Sequence, residues 1–259
     1  MNIPISSAAA AVLDGMTPVT LAEMQGVRLM NRIDCKFAAP ALLFRQLMED
    51  VAPHFKIQAD GDRRIAPYRT QYLDTPGFDL FVMHHNGRMN RQKIRIRTYE
   101  DSGISFLEIK NKNNRGRTGK IRIPIHLPCI RSVADLGESH IRFLNENAAF
   151  AADSLQPALS NRFDRITLVN NNESERVTVD LNLSFLNHVT GSETQVDNLM
   201  ILELKQAGRQ PSPFRDALCR LRIHPRSFSK YCMGSVLTNP RLKYNRFKST
   251  WISITKITH

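Results

Sequence analysis

Five stretches of the chain alternate a charged residue with an apolar one, and the charged positions are mostly cationic. They are KIRIR at 93–97, FLEIK at 106–110, KIRI at 120–123, RVTVDL at 176–181 and ILELK at 201–205. Side chains on a β-strand alternate faces with a period of two. Lys93, Arg95 and Arg97 therefore share one face, and Ile94 and Ile96 the other. Glu108 pairs with Lys110 in the same way, Lys120 with Arg122, Arg176 with Asp180, and Glu203 with Lys205. Cations crowded on one sheet face repel each other, so such a face needs open water or a polyanion.

Composition supports a folded protein with an anionic partner. The 259 residues are 42% hydrophobic, and the net charge is +12. That charge suits nucleic acid, a membrane surface or a phosphate-rich small molecule. The cysteines Cys35, Cys129, Cys219 and Cys232 form no Cys-x-x-Cys pair and have no His at zinc-site spacing, so they read as free thiols. The N-terminal run has no basic region ahead of it and reads as a mobile tail over 1–20 rather than a signal peptide. No apolar run approaches the roughly 20 residues of a membrane span. These features imply a cytoplasmic protein.

The remaining elements read as follows. Residues 26–37 form a strand with Arg32, Asp34 and Lys36 on one face. A helix then starts at Pro40, with Leu42, Leu43 and Leu47 as its apolar stripe, and ends at Pro53. YRTQYLD at 68–74 is a strand, followed by a turn and a short helix at 78–86. NKNNRGRTG at 111–119 is a polar hairpin loop. A helical region covers about 131–152, with Ile141, Leu144 and Phe150 as buried positions. Strands resume at 162–169, 175–183 and 199–205, with HVTGSETQVDN as a loop between the last two. Ser212 caps, and Pro213 opens, a helix that runs to about Arg222. Residues 241–259 form a basic C-terminal tail. The pattern predicts an α+β fold with a closed or strongly curved antiparallel sheet.

One strand with a charged face is ordinarily half-buried, with that face in water. Five of them point to a lumen lined by Lys and Arg. There, each charge-assisted hydrogen bond to an anion returns roughly 1.5–3 kcal/mol. Glu108 and Glu203 are carboxylates among the cations. They read either as salt-bridge partners of Lys110 and Lys205 or as ligands of a divalent metal shared with substrate phosphates. The segment GRTGK at 116–120 lacks the first glycine and the final Ser/Thr of a phosphate-binding loop. His84 and His85 read as a satisfied helix pair. Nucleic acid is unlikely, because the charged faces carry almost no aromatics for base stacking beyond Phe106, with Tyr99 at a strand end.

NRIDCKF, YRTQYLDT, KIRIRTYE, FLEIKNK, GKIRI, RFDRITL, RVTVDLNL, ILELK and SFSKYCMG follow one another in the order seen in a known family. Over about residues 26–236 the chain resembles the VTC (vacuolar transporter chaperone) domain. That domain is the polyphosphate polymerase branch of the triphosphate tunnel metalloenzymes. The resemblance implies a closed, eight-stranded antiparallel β tunnel over 21–240, flanked by helices. It implies a metal-dependent polymerase that transfers the ATP γ-phosphate to a growing polyphosphate chain, with Mn2+ or Mg2+ as cofactor. ATP, pyrophosphate and polyphosphate are the implied ligands.

By motif, the resemblance makes Lys36 a phosphate contact and gives the nucleotide phosphates to Arg95 and Arg97. Lys110, Lys120 and Arg122 would line the tunnel. Arg165 and Arg176 would contact transferring or product phosphates, Glu203 would hold the metal, and Ser229 and Lys230 would complete the set. Phe163 stands where the eukaryotic polymerases usually carry tyrosine, which removes one hydroxyl contact. The family's phosphate-sensing and membrane domains have no counterpart in the sequence, which implies a stand-alone bacterial form, alone or with a separate membrane partner. A tripolyphosphate or nucleoside triphosphate hydrolase and a non-catalytic polyphosphate-binding module are the alternatives.

Overall fold

The computed structural model describes residues 6–25, 32–115, 118–208 and 210–258. Its strands are β1 (Pro18–Val19), β2 (Arg32–Pro40), β3 (Phe55–Gln58), β4 (Ala66–Asp74), β5 (Arg91–Tyr99), β6 (Ile104–Lys112), β7 (Thr118–Ile125), β8 (Gln156–Asn170), β9 (Glu175–Asn187), β10 (Glu193–Val196) and β11 (Leu199–Ala207). Its helices are α1 (Ser7–Gly15), α2 (Leu21–Gln25), α3 (Phe44–Val51), α4 (Asp79–His85), α5 (Glu138–Asn147), α6 (Pro213–Arg220), α7 (Lys230–Thr238) and α8 (Lys248–Thr258).

Eight strands follow one another in the order β2-β11-β9-β8-β4-β5-β6-β7, all antiparallel. β10 extends β9, while β3 pairs with β8 and β1 with β3. The expected α+β class and eight-strand path are present, and the sheet curls into a tunnel. The expected closure is not: among the described residues no ladder joins β7 to β2. β7 is exposed along most of its length and contains Pro124, which has no N–H to donate. Its Lys120 and Arg122 also discourage a neighbour with cations of its own.

The apolar halves of the alternating strands form the outer layers. Ile94, Ile96, Leu107 and Ile109 pack with Leu80, Val133, Leu136 and Leu144. Val177, Val179, Leu202 and Leu204 pack with α3 and α6 through Leu47, Met48, Val51, Phe214 and Leu218. At one end α7 lies against β8 and β9, where Tyr72, Leu159, Phe185 and Tyr231 share an apolar cluster. The start of α4 is fixed by Asp74, whose carboxylate accepts from the backbone N–H of Thr75, Leu80 and Phe81. The Tyr231 hydroxyl donates to the same carboxylate, so α4 and α7 share one buried anchor.

Several sequence expectations are corrected. The helix expected from Pro40 begins later. Pro40 ends β2, residues 41–43 form a 3-10 turn, and Leu42 is 71% exposed rather than part of a stripe. The described part of the expected tail, 6–20, is folded. Ser6 caps α1, and Ala9 and Leu13 are buried beside α3. The short Ala-rich run had concealed this amphipathic face. The C-terminal segment is likewise packed: α8 contacts β2 and β11, and Trp251, Ile254 and Ile257 join the apolar cluster under α7. Part of the loop 188–198 is the strand β10, and the region 131–152 contains only the ten-residue α5 as regular α-helix. Ser212 does cap α6, accepting from the Arg215 N–H. Residues 26–31 of the first expected strand and 116–117 of the polar loop lie outside the described residues.

Gly234 sets the approach of α7 to the sheet. A Cβ there would lie 2.3 Å from Phe185 Cδ1 and 2.7 Å from Leu159 Cδ2. Gly234→Ala is therefore expected to lower unfolding stability by about 1–3 kcal/mol, as overpacking does. Denaturant titration of the two proteins measures it.

Candidate functional site

The charged faces of the strands turn inward. Register sets Lys36 of β2 opposite Glu203 of β11, and Glu203 opposite Thr178 of β9. Further round the wall, Lys93, Lys110 and Lys120 stand opposite one another on β5, β6 and β7. Arg95, Glu108 and Arg122 form the next such row. A cavity of about 1090 Å³ opens among these strands. Its lining includes Lys36, Lys93, Lys110, Glu203, Arg226 and Ser229.

Asp34 joins the cavity lining, and three further carboxylates among the described residues, Glu108, Asp180 and Glu203, sit in this cationic interior and are held differently. Glu108 is fully buried. Its Oε2 accepts from Arg95 Nε at 2.9 Å and Nη2 at 2.7 Å, and its Oε1 from Lys120 Nζ at 3.0 Å. Burial pushes this carboxyl up, but Arg95, Arg97 and Lys120 outweigh it and hold the pKa down to about 2. Asp180 is gripped by Arg165, with Nε to Oδ1 at 2.6 Å and Nη2 to Oδ2 at 2.8 Å, and by Lys230. Burial again opposes ionisation and the two cations win, at about 2.

Glu203 is different. Its neighbours Lys205 and Lys36 stand off at 3.4 and 3.8 Å, longer than a tight charge-assisted bond. Burial acts to raise its pKa, yet Lys36, Lys205, Lys110 and Arg165 together hold it well below the usual range. It is thus an ionised carboxylate, loosely held, on the cavity wall.

The cations divide in the same way. Arg95, Lys120, Arg165 and Lys230 each reach a carboxylate. Arg97 does not among the described residues. It donates weakly to Thr70 Oγ1 at 3.4 Å and lies over the Tyr68 ring at 5.6 Å. Burial, then Arg95 and Arg165, lower its pKa to about 10. Lys110 falls to about 7 through burial and the repulsion of Arg95, only partly offset by Glu203. Lys93 falls to about 8 by burial, and its Nζ donates to Ser229 Oγ at 3.0 Å. Lys230 also falls to about 8, burial outweighing Asp180. Burial is the largest cause for all three lysines, so this lumen desolvates its cations more than its carboxylates compensate.

The positions expected from sequence are therefore assembled, though not in one pocket. Lys36, Lys110, Glu203 and Ser229 line the open cavity. Arg95, Arg97, Arg165 and Lys230 continue the same inner face with Asp180 and Glu108. Lys120 and Arg122 belong to the exposed edge strand, Arg122 lying 4.1 Å over the Phe106 ring. Arg176 stands opposite Lys205 and adds to its positive surroundings. Glu108 bonds to Arg95 and Lys120 rather than to Lys110.

Sequence reasoning left Lys93, Thr178, Asp180 and Lys205 out of the site, although period two places each on the inner face. It also undercounted aromatics. Tyr68 and Phe163 stack at 5.3 Å, with Tyr99 5.0 Å from Tyr68. Tyr68 and Phe163 are buried against each other and against Arg165 and Lys230, so they brace the cations rather than offer open faces to bases. Phe163 takes this bracing place. His85 is satisfied by Asn86 and Asn245, and His84 contacts Cys232 Sγ at 3.1 Å. All four cysteines are free thiols.

A curled antiparallel sheet with a cationic lumen and only a few carboxylates defines a tunnel whose charge suits an anion. The VTC domain family matches residues 31–239, and the chain belongs to that family. No curated protein sequence matches the chain.

Solved structures are similar at low identity. One is a protein of Hippeastrum described as an adenylyl cyclase with a dominant triphosphatase activity. It is 15% identical, with a TM-score of 0.48, covering 80% of this chain and 96% of that one. A Bacillus halodurans protein assigned as an adenylate cyclase is 15% identical, with a TM-score of 0.46 and coverage of 77% and 96%. A Pyrococcus horikoshii protein is 13% identical, with a TM-score of 0.38 and coverage of 73% and 86%. No helix among the described residues is long and apolar enough to cross a membrane.

The depressed lysines predict a pH signature. Lys93, Lys110 and Lys230 titrate near 8, 7 and 8 when folded, against an ordinary 10.5. The unfolded chain therefore holds protons that the folded chain releases, and stability rises with pH across this interval. His84, held to about 3, is neutral in both states above its ordinary 6.5, and the raised Cys232 thiol opposes the trend only near 9. The melting temperature of the ligand-free protein is expected to rise between about pH 7 and 8.5. Saturating tripolyphosphate should flatten or reverse that slope, because it favours the charged lysines. Thermal scans with and without the anion test both halves.

Proposed function

We propose that the chain is a metal-dependent polyphosphate polymerase, an ATP:polyphosphate phosphotransferase. The observation that carries this reading is the run of under-neutralised cations along one continuous inner wall, in a chain of the VTC domain family. A single phosphate needs two or three donors. A wall running from Lys36 through Lys93 and Lys110 to Arg97 suits a chain of phosphates, which satisfies many donors at once.

In this reading Lys36, Arg95 and Arg97 hold the triphosphate of ATP, and Lys110, Lys120 and Arg122 bind along the wall. Arg165, Arg176, Ser229 and Lys230 hold the transferring or product phosphates. An oxygen of the terminal phosphate of the growing chain attacks the γ-phosphorus in line. The new P–O bond forms as the bond to the bridging oxygen breaks, and ADP leaves with that electron pair. No covalent enzyme intermediate is required. Arg95 and Lys230, anchored by Glu108 and Asp180, cannot follow the substrate and so act as fixed positive charge. Fixed charge costs no reorganisation when charge shifts in the transition state.

Mn2+ or Mg2+ is the cofactor we assign, with Glu203 as its protein ligand. Among the described residues no group of three His, Cys, Asp or Glu gathers to form an all-protein cage. One ionised, loosely held carboxylate suits a hard cation whose other ligands are phosphate oxygens and water. When bound, the ion neutralises charge on the reacting phosphates.

Purified protein given ATP and Mn2+ should yield a ladder of long phosphate chains on a gel. Free phosphate as the sole product would instead make it a hydrolase. Tight polyphosphate binding without turnover would make it a binding module. Glu203→Gln should lower metal-dependent turnover by about two to three orders of magnitude, the scale of losing one preorganised electrostatic contact. Binding of tripolyphosphate, measured by calorimetry, should survive, since the change removes negative charge from the wall. Full activity in that variant would overturn the metal assignment.

A further inference from the structure

Asn161 is a polar residue that the lumen leaves unsatisfied. It is 2% exposed, and neither its Oδ1 nor its Nδ2 has a hydrogen-bond partner. A buried primary amide with both ends empty costs free energy in the ligand-free protein, and native structures retain few such groups. Its location shows what it faces. On β8 it stands opposite Thr70 of β4, which stands opposite Arg97 of β5. Directly opposed residues on antiparallel strands share a face. Asn161, Thr70 and Arg97 therefore form one row across three strands, and the half-buried guanidinium of Arg97 reaches no carboxylate among the described residues.

The same row lies at a boundary. Two residues along β8 in one direction is Phe163, beneath Lys230 Nζ at 4.2 Å. Two residues in the other is Leu159, in the apolar layer covered by α7, where Gly234 leaves no room even for a methyl group. Across the ladder from Asn161 is Phe185 of the same layer. An anion held at Arg97 and Asn161 would meet this apolar layer on its far side, so the position suits a chain end better than a chain interior.

The chemistry of the amide agrees. An internal phosphate of a chain offers only acceptors near neutral pH, and would leave Oδ1 empty. A terminal phosphate can keep one proton, its last ionisation lying near about pH 6. It then offers one P–O–H donor to Oδ1 and an anionic oxygen to Nδ2, while Arg97 donates to another oxygen.

We propose that Asn161, with Thr70 and Arg97, is a binding position for the terminal, singly protonated phosphate of a phosphate chain. The proposal rests on the tunnel reading above and adds a residue that tells chain ends from chain interiors.

The test compares tripolyphosphate, which has terminal phosphates, with cyclic trimetaphosphate, which has none. Binding to wild type and Asn161→Leu is measured by calorimetry. The variant should bind tripolyphosphate about tenfold more weakly, the scale of one charge-assisted hydrogen bond. Its affinity for trimetaphosphate should not change. The near-isosteric leucine removes an unpaired amide, so the melting temperature of the ligand-free variant should be equal or higher. If leucine overpacks the site, Asn161→Ala gives the same comparison.

An ATP arm identifies the chain. Weakening for tripolyphosphate alone assigns the position to an inorganic end, and weakening for ATP as well assigns it to a γ-phosphate. Equal losses for both inorganic ligands, or none for tripolyphosphate, would overturn the position while leaving the tunnel reading intact. A wild-type protein that binds neither anion would overturn both.

Discussion

Like-charge repulsion inside a curled sheet is the constraint around which this protein is arranged. Lysines and arginines occupy the inner face of consecutive strands, and Glu108, Asp180 and Glu203, even with Asp34 on the cavity lining, are too few to balance them. The fold tolerates this because the outer faces are well packed. Ile94, Ile96, Leu107, Ile109, Val177, Val179, Leu202 and Leu204 are all buried. Apolar burial at about 25 cal/mol per Å² supplies the stability that the lumen spends. Each strand thus does two opposed jobs, which is why the alternation is so regular.

The three carboxylates show how such a lumen is made specific. Two are fastened to cations by short bonds, which fixes Arg95, Arg165 and Lys230 in place and prevents them from collapsing onto substrate or solvent. The third stands off from its lysines and stays ionised. The distinction rests on ångström differences in reach: 2.6–3.0 Å at Glu108 and Asp180, against 3.4 and 3.8 Å at Glu203. Aromatic bracing adds to it, since Tyr68 and Phe163 lie under Arg165 and fix the plane of its guanidinium.

Much of this was legible in the sequence because period-two alternation writes both faces of a strand at once. The strands themselves, the inward cations and the place of Glu203 among them could be read that way. What remained hidden depends on register. That Glu108 serves Arg95 and Lys120 rather than Lys110 follows from which residues stand opposite across β5, β6 and β7, and no single strand encodes that. Asn161 was silent for another reason. An amide in a strand carries no charge pattern, and it stands out only once its partners are found missing. α1 and α8 were missed because a few small or scattered apolar residues, such as Ala9, Leu13, Ile254 and Ile257, suffice when a ready-made groove receives them. Leu42 shows the converse, an apolar residue at helical spacing that ends in solvent.

Among the described residues no ladder joins β7 to β2, and this has a mechanical consequence. A fully bonded barrel has a fixed girth, because widening it means breaking backbone hydrogen bonds along a whole strand. Here the wall has a seam. Parting β7 from β2 breaks no backbone ladder among the described residues, so the bore can change its girth there without unzipping a strand.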